Sequence, residues 1–429
     1  MIIKNFNELA TSAQKGHILS IIEAGLQAAM PDQIMRKIVN KDRILIDKKN
    51  LYIQKYRRVF VVAVGKAADS MTRAVNSLTH IDGGIVVVPN RYPPAHLPKK
   101  FKILRASHPI PDRTSVYAAK TIIEFLENLE PSDFIIFLVS GGASSLVTLP
   151  DGISLRDKQR TTDILLKSGA NIQEINCIRK HLSEVKGGRL LDHLWCDAVS
   201  LVMSDVPGDD LSAIASGMTY FDSTTFCDAK NILKRYKLEK IVPKSVVNRI
   251  ELGIEGLISD TPKVKRIGNY VISSNKNCLG VMAKKARNLG FSVRVVQPIS
   301  GGVDKASVKI TKMLRSDKNG CVIFGGETTV TVKGKGKGGR NQELVLYMLK
   351  NLNRQNRNTV MVSVGTDGID GNTDAAGAIA ESDMSARDIG RFLKNNVSYH
   401  FFKKYGGLVF TGPTHTNLMD IGVILSRQQ

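Results

Sequence analysis

Residues 59–71 read VFVVAVGKAADSM, an apolar run that meets a glycine, a lysine and then a helical stretch. The run Val59 to Val64 is rich in β-branched residues and does not alternate with polar ones, as is typical of a strand buried on both faces of a parallel sheet. Three further runs share this composition: GIVVV at 84–88, FIIFLV at 134–139 and AVSLVM at 198–203. Helical stretches at 67–78 and 115–129 fit crossovers between them. The pattern predicts an α/β fold with a parallel sheet.

A second series of strands follows a lysine-rich helical stretch between residues 225 and 265. Its predicted strands are 270–273, 292–296, 320–324, 328–332, 359–364 and 408–410, with helices at 279–289 and 342–352. Because 429 residues exceed what one hydrophobic core usually organises, we predict two α/β domains. The first covers residues 1–235, including an N-terminal helix at 10–30, and the second covers residues 236–429.

Composition excludes several classes of protein. No window reaches the roughly 18 apolar residues of a membrane span, and the first residues lack the features of a signal peptide, so we expect a cytoplasmic protein without a membrane partner. The five cysteines include no CxxC pair, which argues against a zinc site or a disulfide framework. Although the net charge is +22, the 61 basic residues are interleaved with acids and form no recognisable nucleic-acid module. This favours attraction of small anions over a nucleic-acid partner.

The residues directly after the buried strands are the first candidates for chemistry, because ligands of open parallel sheets bind outside the carboxyl ends of strands. Gly65 and Lys66 follow the first strand and place a lysine at the start of a helix. Ser140, Gly141, Gly142 and Ser144 follow the third, where amides and hydroxyls suit phosphate oxygens. Neither segment is a Walker A motif, and no GxGxxG directly follows one of the four buried strands, which argues against a dinucleotide cofactor.

Two acidic turns also follow predicted strands. Asp205 is the second residue of SDVPGDD, which follows the fourth strand, and Asp367 lies in TDGIDGNTD after the strand at 359–364. Each carboxylate suits a magnesium ligand or a base that takes a hydroxyl proton. An aspartate-rich turn with a helix cap is the alternative reading of the segment that contains Asp205.

The stretch GGETTVTVKGKGKGGRNQE at 325–343 joins a strand to a glycine-rich basic loop and a helix. Glycines at 334, 336, 338 and 339 permit positive φ and close approach to a ligand. Arg340 and the helix N-terminus favour an anion, whereas Lys333, Lys335 and Lys337 are candidates for a mobile lid. A flexible, lysine-decorated hairpin is the alternative.

Six segments occur together and in order along the chain: VAVGKAADSM (62–71), VSGGASSLV (139–147), IRKHLSEVKGGRL (178–190), SDVPGDDLSAIASGMT (204–219), FGGETTVTVKGKGKGGRNQE (324–343) and VGTDGIDGNTDAAGA (364–378). Together they resemble the type-2 glycerate kinases, whose C-terminal half is called the MOFRL domain. The resemblance covers nearly the whole chain.

The resemblance implies a Rossmann-like N-terminal domain, a C-terminal MOFRL-type α/β domain and an active site in the cleft between them. It implies ATP-dependent phosphorylation of D-glycerate with Mg²⁺ or another divalent cation, in a monomer or homodimer. The favoured product is 2-phospho-D-glycerate. The open alternatives are 3-kinase regiochemistry and hydroxypyruvate reductase activity, a label that members of the family have carried.

The family's key lysine falls on Lys66 and its key arginine on Arg340. We expect Lys66, Arg340 and Asp205 to be catalytic. The expected substrate-binding residues are Lys66, Ser140, Gly141, Gly142, Ser144, Arg340 and Asn341. Asp205 or Asp367 is expected to orient the metal or to deprotonate the attacking hydroxyl.

Overall fold

The computed structural model describes residues 1–90, 96–314, 319–352, 358–384 and 389–427. The chain divides into two compact units. We call Met35–Ile272 the central unit, and Met1–Ile34 together with Ser273–Gln429 the terminal unit.

The strands of the described residues are β1 (Arg43–Ile46), β2 (Lys49–Tyr52), β3 (Arg58–Val64), β4 (Gly83–Pro89), β5 (Phe101–Ala106), β6 (Asp133–Val139), β7 (Asp197–Ser204), β8 (Gly268–Ser274), β9 (Ser292–Gly302), β10 (Asn319–Thr329), β11 (Thr359–Gly365), β12 (Gly377–Glu381), β13 (Leu408–Val409) and β14 (Asp420–Arg427).

The helices of the same residues are α1 (Phe6–Leu9), α2 (Ala13–Ala28), α3 (Pro31–Ile38), α4 (Ala68–Leu78), α5 (Arg113–Glu127), α6 (Ala143–Leu146), α7 (Leu155–Lys167), α8 (Ile172–His181), α9 (Phe226–Arg235), α10 (Lys244–Ile254), α11 (Asn275–Asn288), α12 (Val303–Lys312), α13 (Arg340–Asn351), α14 (Ile389–Lys394) and α15 (Ser398–Tyr405). None of them is long and apolar enough to cross a membrane.

The central unit is built on a sheet with the strand order β5-β4-β3-β6-β7-β8. Strands β3 to β7 pair in parallel. Every residue of β4 and β6 is buried, which explains why these strands read as continuous apolar runs. The predicted parallel sheet is confirmed. Its core contains Val62, Val87, Ile135 and Phe137.

The sheet of the terminal unit has the order β13-β12-β11-β14-β10-β9. Only β9 and β10 pair in parallel, and the other neighbours are antiparallel. The N-terminal helix α2 belongs to this unit, because it packs on α11, β11 and β14 and buries Ile18, Leu19 and Ile22. The chain therefore contributes both of its ends to one core.

Two features of the terminal sheet differ from the sequence prediction. The central strand β14 and the strand β12, which pairs with β11 and β13, were not predicted. The predicted strands at 320–324 and 328–332 are instead one strand, β10, with a register shift between Phe324 and Gly326. Gly326 has φ of +141° at this shift, a conformation that glycine adopts readily.

The boundaries between the two compact units fall after Ile34 and after Ile272, and not between residues 235 and 236. Strand β8 lies in the sheet of the central unit, whereas residues 1–34 pack with the C-terminal part of the chain. As a division into functional domains, 1–235 and 236–429 stays a prediction.

Candidate functional site

The loops after β3 and β6 meet at the carboxyl edge of the central sheet. The backbone N–H of Lys66 donates to the carbonyl of Gly141 at 2.9 Å, and the N–H of Ala67 donates to Ser140 Oγ at 3.0 Å. Neighbouring parallel strands place their carboxyl ends side by side, so two segments far apart in sequence become one surface. The structure brings the predicted residues Lys66, Ser140 and Gly141 together.

Glycine is required where these loops touch. Gly65 has φ of +132°, and a Cβ atom there would collide with Ser140, whose carbonyl oxygen would lie at 2.6 Å. Gly142 has φ of +86°, and its Cβ atom would lie 3.0 Å from His108 Cδ2 and 3.7 Å from Lys66 Cγ. Gly142 therefore lies between the side chains of His108 and Lys66.

The remaining predicted residues of the central unit lie close by in the sheet. Ser144 is half-buried at the start of α6, and its hydroxyl lies 2.8 Å from that of Ser216. Asp205 follows β7, which pairs with β6, and it is half-buried. His181 of the same unit is fully buried, with its ring nitrogens near the carbonyl oxygen of Cys177 and the carboxylate of Asp260. His181 is thus a structural residue.

Arg340 of the terminal unit is held by two carboxylates. Its Nε donates to Asp420 Oδ2 at 2.6 Å, and its Nη2 donates to Asp420 Oδ1 at 3.0 Å. Its Nη1 donates to Glu327. Burial alone would lower the pKa of Arg340, but these carboxylates outweigh burial and raise it. The guanidinium is permanently charged and fixed in direction, and 30% of the side chain remains exposed.

The N-terminus of α13 already holds an anionic side chain of the protein. The N–H groups of Asn341 and Gln342 donate to the two carboxylate oxygens of Asp370, at 3.0 and 2.9 Å. Burial raises the pKa of Asp370 to about 7 although both amides favour the carboxylate. The amides of Asn341 and Gln342 therefore already have an anionic partner within the protein, and ligand binding at this helix end stays a prediction.

Asn341 supports this arrangement from within the core. It is buried, its Nδ2 donates to Asp370 at 3.3 Å, and its Oδ1 accepts from the hydroxyl of Ser363 at 2.6 Å. These contacts favour a supporting role. Substrate contact by Asn341 stays a prediction.

Asp367 lies beside the Arg340 cluster. A Cβ atom on Gly365 would lie 3.0 Å from Asp367 Oδ1 and 3.4 Å from Asp420 Oδ1, so the two carboxylates approach the same point. Asp367 is buried, with 8% of its surface exposed, and it adds to the negative charge around Arg340. Among the described residues, however, no group of three or more Asp, Glu, His or Cys side chains is placed to hold a metal ion.

The glycine-rich loop before α13 packs on the protein's own backbone. Asn396 accepts from the N–H groups of Lys333 and Gly334 at 2.7 and 3.1 Å, and Lys337 lies over the ring of Tyr399. A Cβ atom on Gly334 or Gly336 would collide with backbone of residues 395 and 396. The glycines at 334, 336, 338 and 339 do not adopt positive φ. They allow close chain packing, which differs from the expected mobile lid.

Sequence reasoning missed the partners of Arg340 and of α13. Asp420 lies at the start of β14, and no motif marks it. Glu327 and Asp370 were inside quoted segments, but neither was assigned a role. Because Asp420 is 80 residues from Arg340 along the chain, only the pairing of β10 with β14 reveals the contact.

Two family models match the chain: a domain of unknown function, DUF4147, over residues 17–251 and the MOFRL family over residues 320–420. The glycerate 2-kinase of Pyrococcus horikoshii is 38% identical, over 95% of this chain and 96% of its own. The chain belongs to the type-2 glycerate kinase family. The crystal structure of glycerate kinase from Thermotoga maritima has a TM-score of 0.81 and 35% identity, and the match covers 95% of this chain and 98% of that one.

One relative in the type-2 glycerate kinase family carries a different name. A putative hydroxypyruvate reductase of Agrobacterium vitis is 36% identical over 92% of this chain and 94% of its own. The fold and the family are thus shown by full-length matches, while the activities in the names of the relatives differ.

Proposed function

We propose that this chain transfers the γ-phosphoryl group of ATP to D-glycerate, giving 2-phospho-D-glycerate and ADP. The observation that carries the proposal is the full-length similarity to the glycerate 2-kinase of Pyrococcus horikoshii, together with Lys66 and Arg340 at the expected positions. Phosphoryl transfer depends mostly on positioning and on neutralisation of charge. Cations fixed by rigid loops suit both tasks.

Lys66 would act as a point charge on a substrate oxygen, because an ammonium donates in any of three directions. Arg340 would act differently. Since Asp420 fixes two of its nitrogens and Glu327 a third, the exposed edge of the guanidinium can donate only in a set direction to a carboxylate or phosphate. The two residues belong to different compact units, and their joint role in one reaction is part of the proposal.

The hydroxyl of glycerate must lose its proton when the phosphoryl group is transferred. Asp205 and Asp367 are the proposed candidates for accepting it, because each follows a strand at its carboxyl end. A base must reach the hydroxyl within hydrogen-bond distance. Exchange of either residue for asparagine would retain the shape and remove the base.

A divalent cation fits this chain only if the nucleotide shares in binding it. The described residues hold no cluster of three metal-binding side chains, but Mg²⁺ commonly binds through one or two carboxylates and substrate phosphates. Asp205 and Asp367 are the residues proposed to hold it. When bound, the ion would neutralise charge on the phosphate oxygens.

Phosphorus NMR of the products tests the proposal. The full chain is incubated with ATP, Mg²⁺ and D-glycerate, and the expected new resonance is that of 2-phosphoglycerate. A 3-phosphoglycerate resonance would refute the regiochemistry, and hydrolysis without any phosphoglycerate would refute the kinase activity. Arg340→Lys should lower turnover by orders of magnitude with an unchanged circular dichroism spectrum, because lysine cannot reproduce the fork.

Hydroxypyruvate reduction is the second candidate, because the Agrobacterium vitis relative carries that name. No GxGxxG directly follows a buried strand of the central sheet, and the match GKGKGG at 334–339 packs on backbone of residues 395 and 396, which argues against the reductase. Oxidation of NADH in the presence of hydroxypyruvate, measured by absorbance, would favour the reductase. We propose further that the protein works in the cytoplasm as a monomer or homodimer, without a nucleic-acid partner, and sedimentation can test its size.

A further inference from the structure

Arg179 lies among neutral acceptors in the central unit. It projects from α8, where its Nη2 donates to Ser144 Oγ at 2.6 Å and its Nη1 lies 3.4 Å from Asn176 Oδ1. Among the residues that the structure describes, no carboxylate forms an ion pair with Arg179. A half-buried guanidinium without an anionic partner is costly, and this one lies directly beside a predicted ligand-binding loop.

Two lysines add positive charge behind the arginine. Lys186 is fully buried, and its ammonium donates to the Ser144 carbonyl at 2.6 Å and to Ser144 Oγ at 3.1 Å. Lys158 is also buried and donates to the carbonyls of Arg179 and Leu182. Burial and the nearby cations lower the pKa of Lys186 well below its usual value. A lowered pKa means that the ammonium loses its proton more readily, and a bound anion beside Arg179 would favour the charged form of both lysines.

Strained backbone places a second hydroxyl at the same point. Ala215 and Ser216 have φ of +53° and +55°, a region that residues other than glycine rarely occupy. Ser216 donates its hydroxyl hydrogen to Asn176 Oδ1 at 3.1 Å, so in the 2.8 Å contact with Ser144 the donor is Ser144. That hydrogen is free to turn from Ser216 to a ligand. Strain of this kind is concentrated at functional sites.

The cluster opens toward solvent on one side. Ser144 and Arg179 are half-buried, whereas Lys186 and Ser216 are buried behind them. Ser144 is only two residues after Gly142, where a Cβ atom would lie 3.7 Å from Lys66 Cγ. The loop after β6 is thus close to Lys66 at Gly142 and to Arg179 at Ser144.

We propose that Arg179 and Ser144, backed by Lys186, bind a phosphate oxyanion. The two lysines are satisfied by carbonyl oxygens and support the charge. Arg179 is the group that contacts the ligand, because it has neutral partners and is accessible. The identity of the phosphate, from the nucleotide or from the phosphorylated product, rests on the proposed kinase function.

Calorimetric titration of the full chain tests the site without turnover. The ligands are inorganic phosphate, ATP, 2-phosphoglycerate and D-glycerate, each added alone to the wild type, Arg179→Gln and a control, Arg160→Gln. Arg160 is exposed on α7, so its loss changes the net charge equally. We expect Arg179→Gln to lower the affinity for each phosphate-bearing ligand about tenfold or more, because a charge-assisted contact is lost. The affinity for D-glycerate should be unchanged.

The outcomes separate the site from the kinase activity. Equal phosphate affinity in wild type and Arg179→Gln, no phosphate binding by the wild type, or an equal loss in Arg160→Gln would overturn the site. A loss for D-glycerate alone would also overturn it, since it would assign a carboxylate. A greater loss for ATP or for 2-phosphoglycerate supports the site and identifies the source of the phosphate. If the product assay detects no kinase activity, the titration with inorganic phosphate still tests whether Arg179 belongs to an anion site.

Two further variants guard against a folding defect. Arg179→Lys should recover part of the affinity because the charge returns without the fork. Ser144→Ala removes one hydroxyl and no charge. It should lower the affinity for inorganic phosphate several-fold and leave the circular dichroism spectrum unchanged. Full affinity in Ser144→Ala together with none of the expected recovery in Arg179→Lys would contradict the proposed contacts.

Discussion

The two carboxylates that hold Arg340 should differ in their contribution to stability. Asp420 is 2% exposed and binds the guanidinium through two hydrogen bonds, whereas Glu327 is 49% exposed and binds it through one. Asp420→Asn and Glu327→Gln each remove one negative charge with little change in shape. The pair of variants compares a buried and an exposed partner of the same arginine.

The expected magnitudes follow from burial. Removing one member of a buried ion pair costs about 3–5 kcal/mol, because the other charge is left without compensation. Asparagine keeps one acceptor oxygen and Glu327 remains, so we expect the lower end of that range, about 3 kcal/mol, for Asp420→Asn. An exposed pair contributes about 1 kcal/mol or less, which is the expected loss for Glu327→Gln.

Hydrogen exchange measured by mass spectrometry suits this comparison. A chain with two compact units need not unfold in one step, so a local measurement is needed to assign a loss of stability to one unit. The peptides to follow are 319–329 and 420–427, which pair as β10 and β14. A loss of about 3 kcal/mol corresponds to exchange about 100-fold faster through local opening. Glu327→Gln should raise the exchange rate of the same peptides by about fivefold at most.

Equal exchange rates in the two variants would refute the argument. Such a result would mean that the buried carboxylate contributes no more than the exposed one. An increase in protection in Asp420→Asn would contradict it more strongly, since it would show that desolvation of Asp420 outweighs its attraction to Arg340.

Three more predictions concern other parts of the chain. Gly65→Ala should lower the melting temperature more than Gly256→Ala, because both glycines have positive φ but only Gly65 lacks space for a Cβ atom; equal shifts in calorimetry would contradict this. Burial lowers the pKa of Lys158 to about 7, so the unfolded chain binds more protons between pH 7 and 10, and wild-type stability should rise there by up to about 1.4 kcal/mol per pH unit. Urea midpoints of Lys158→Met should show a flatter rise, and parallel slopes would exclude the effect. Asn396→Ala should speed hydrogen exchange in residues 331–336, because Asn396 accepts from the amides of Lys333 and Gly334. The control Asn395→Ala, which changes an exposed side chain, should not speed it.

The central sheet was predictable because its signal is local. Val59 to Val64 and Phe134 to Val139 are continuous apolar runs, and a strand buried on both faces needs such a run. The loops after these strands followed as candidates from the general position of ligands in parallel sheets. The contact between Lys66 and Gly141 is the structural consequence of that rule.

The terminal unit was less predictable because its order in space departs from its order in sequence. Strand β14 lies between β10 and β11, although it is the last strand of the chain. Helix α2, at the other end, packs on the same sheet. No local pattern in residues 1–34 states that their partners lie beyond residue 273, so a boundary drawn along the sequence separates segments that share a core.

The chemical meaning of a charged residue depends on partners of this distant kind. Arg340 and Arg179 are both arginines next to glycine-rich or hydroxyl-rich segments, and sequence alone ranks Arg340 far above Arg179. Arg340 forms ion pairs with two carboxylates. It therefore contributes to ligand binding through the fixed direction of its hydrogen bonds more than through net charge. Arg179 donates to a serine and an asparagine, which are neutral, so its positive charge is not compensated by these partners. A net charge of +22 therefore does not locate an anion site, whereas a cation without a carboxylate partner does.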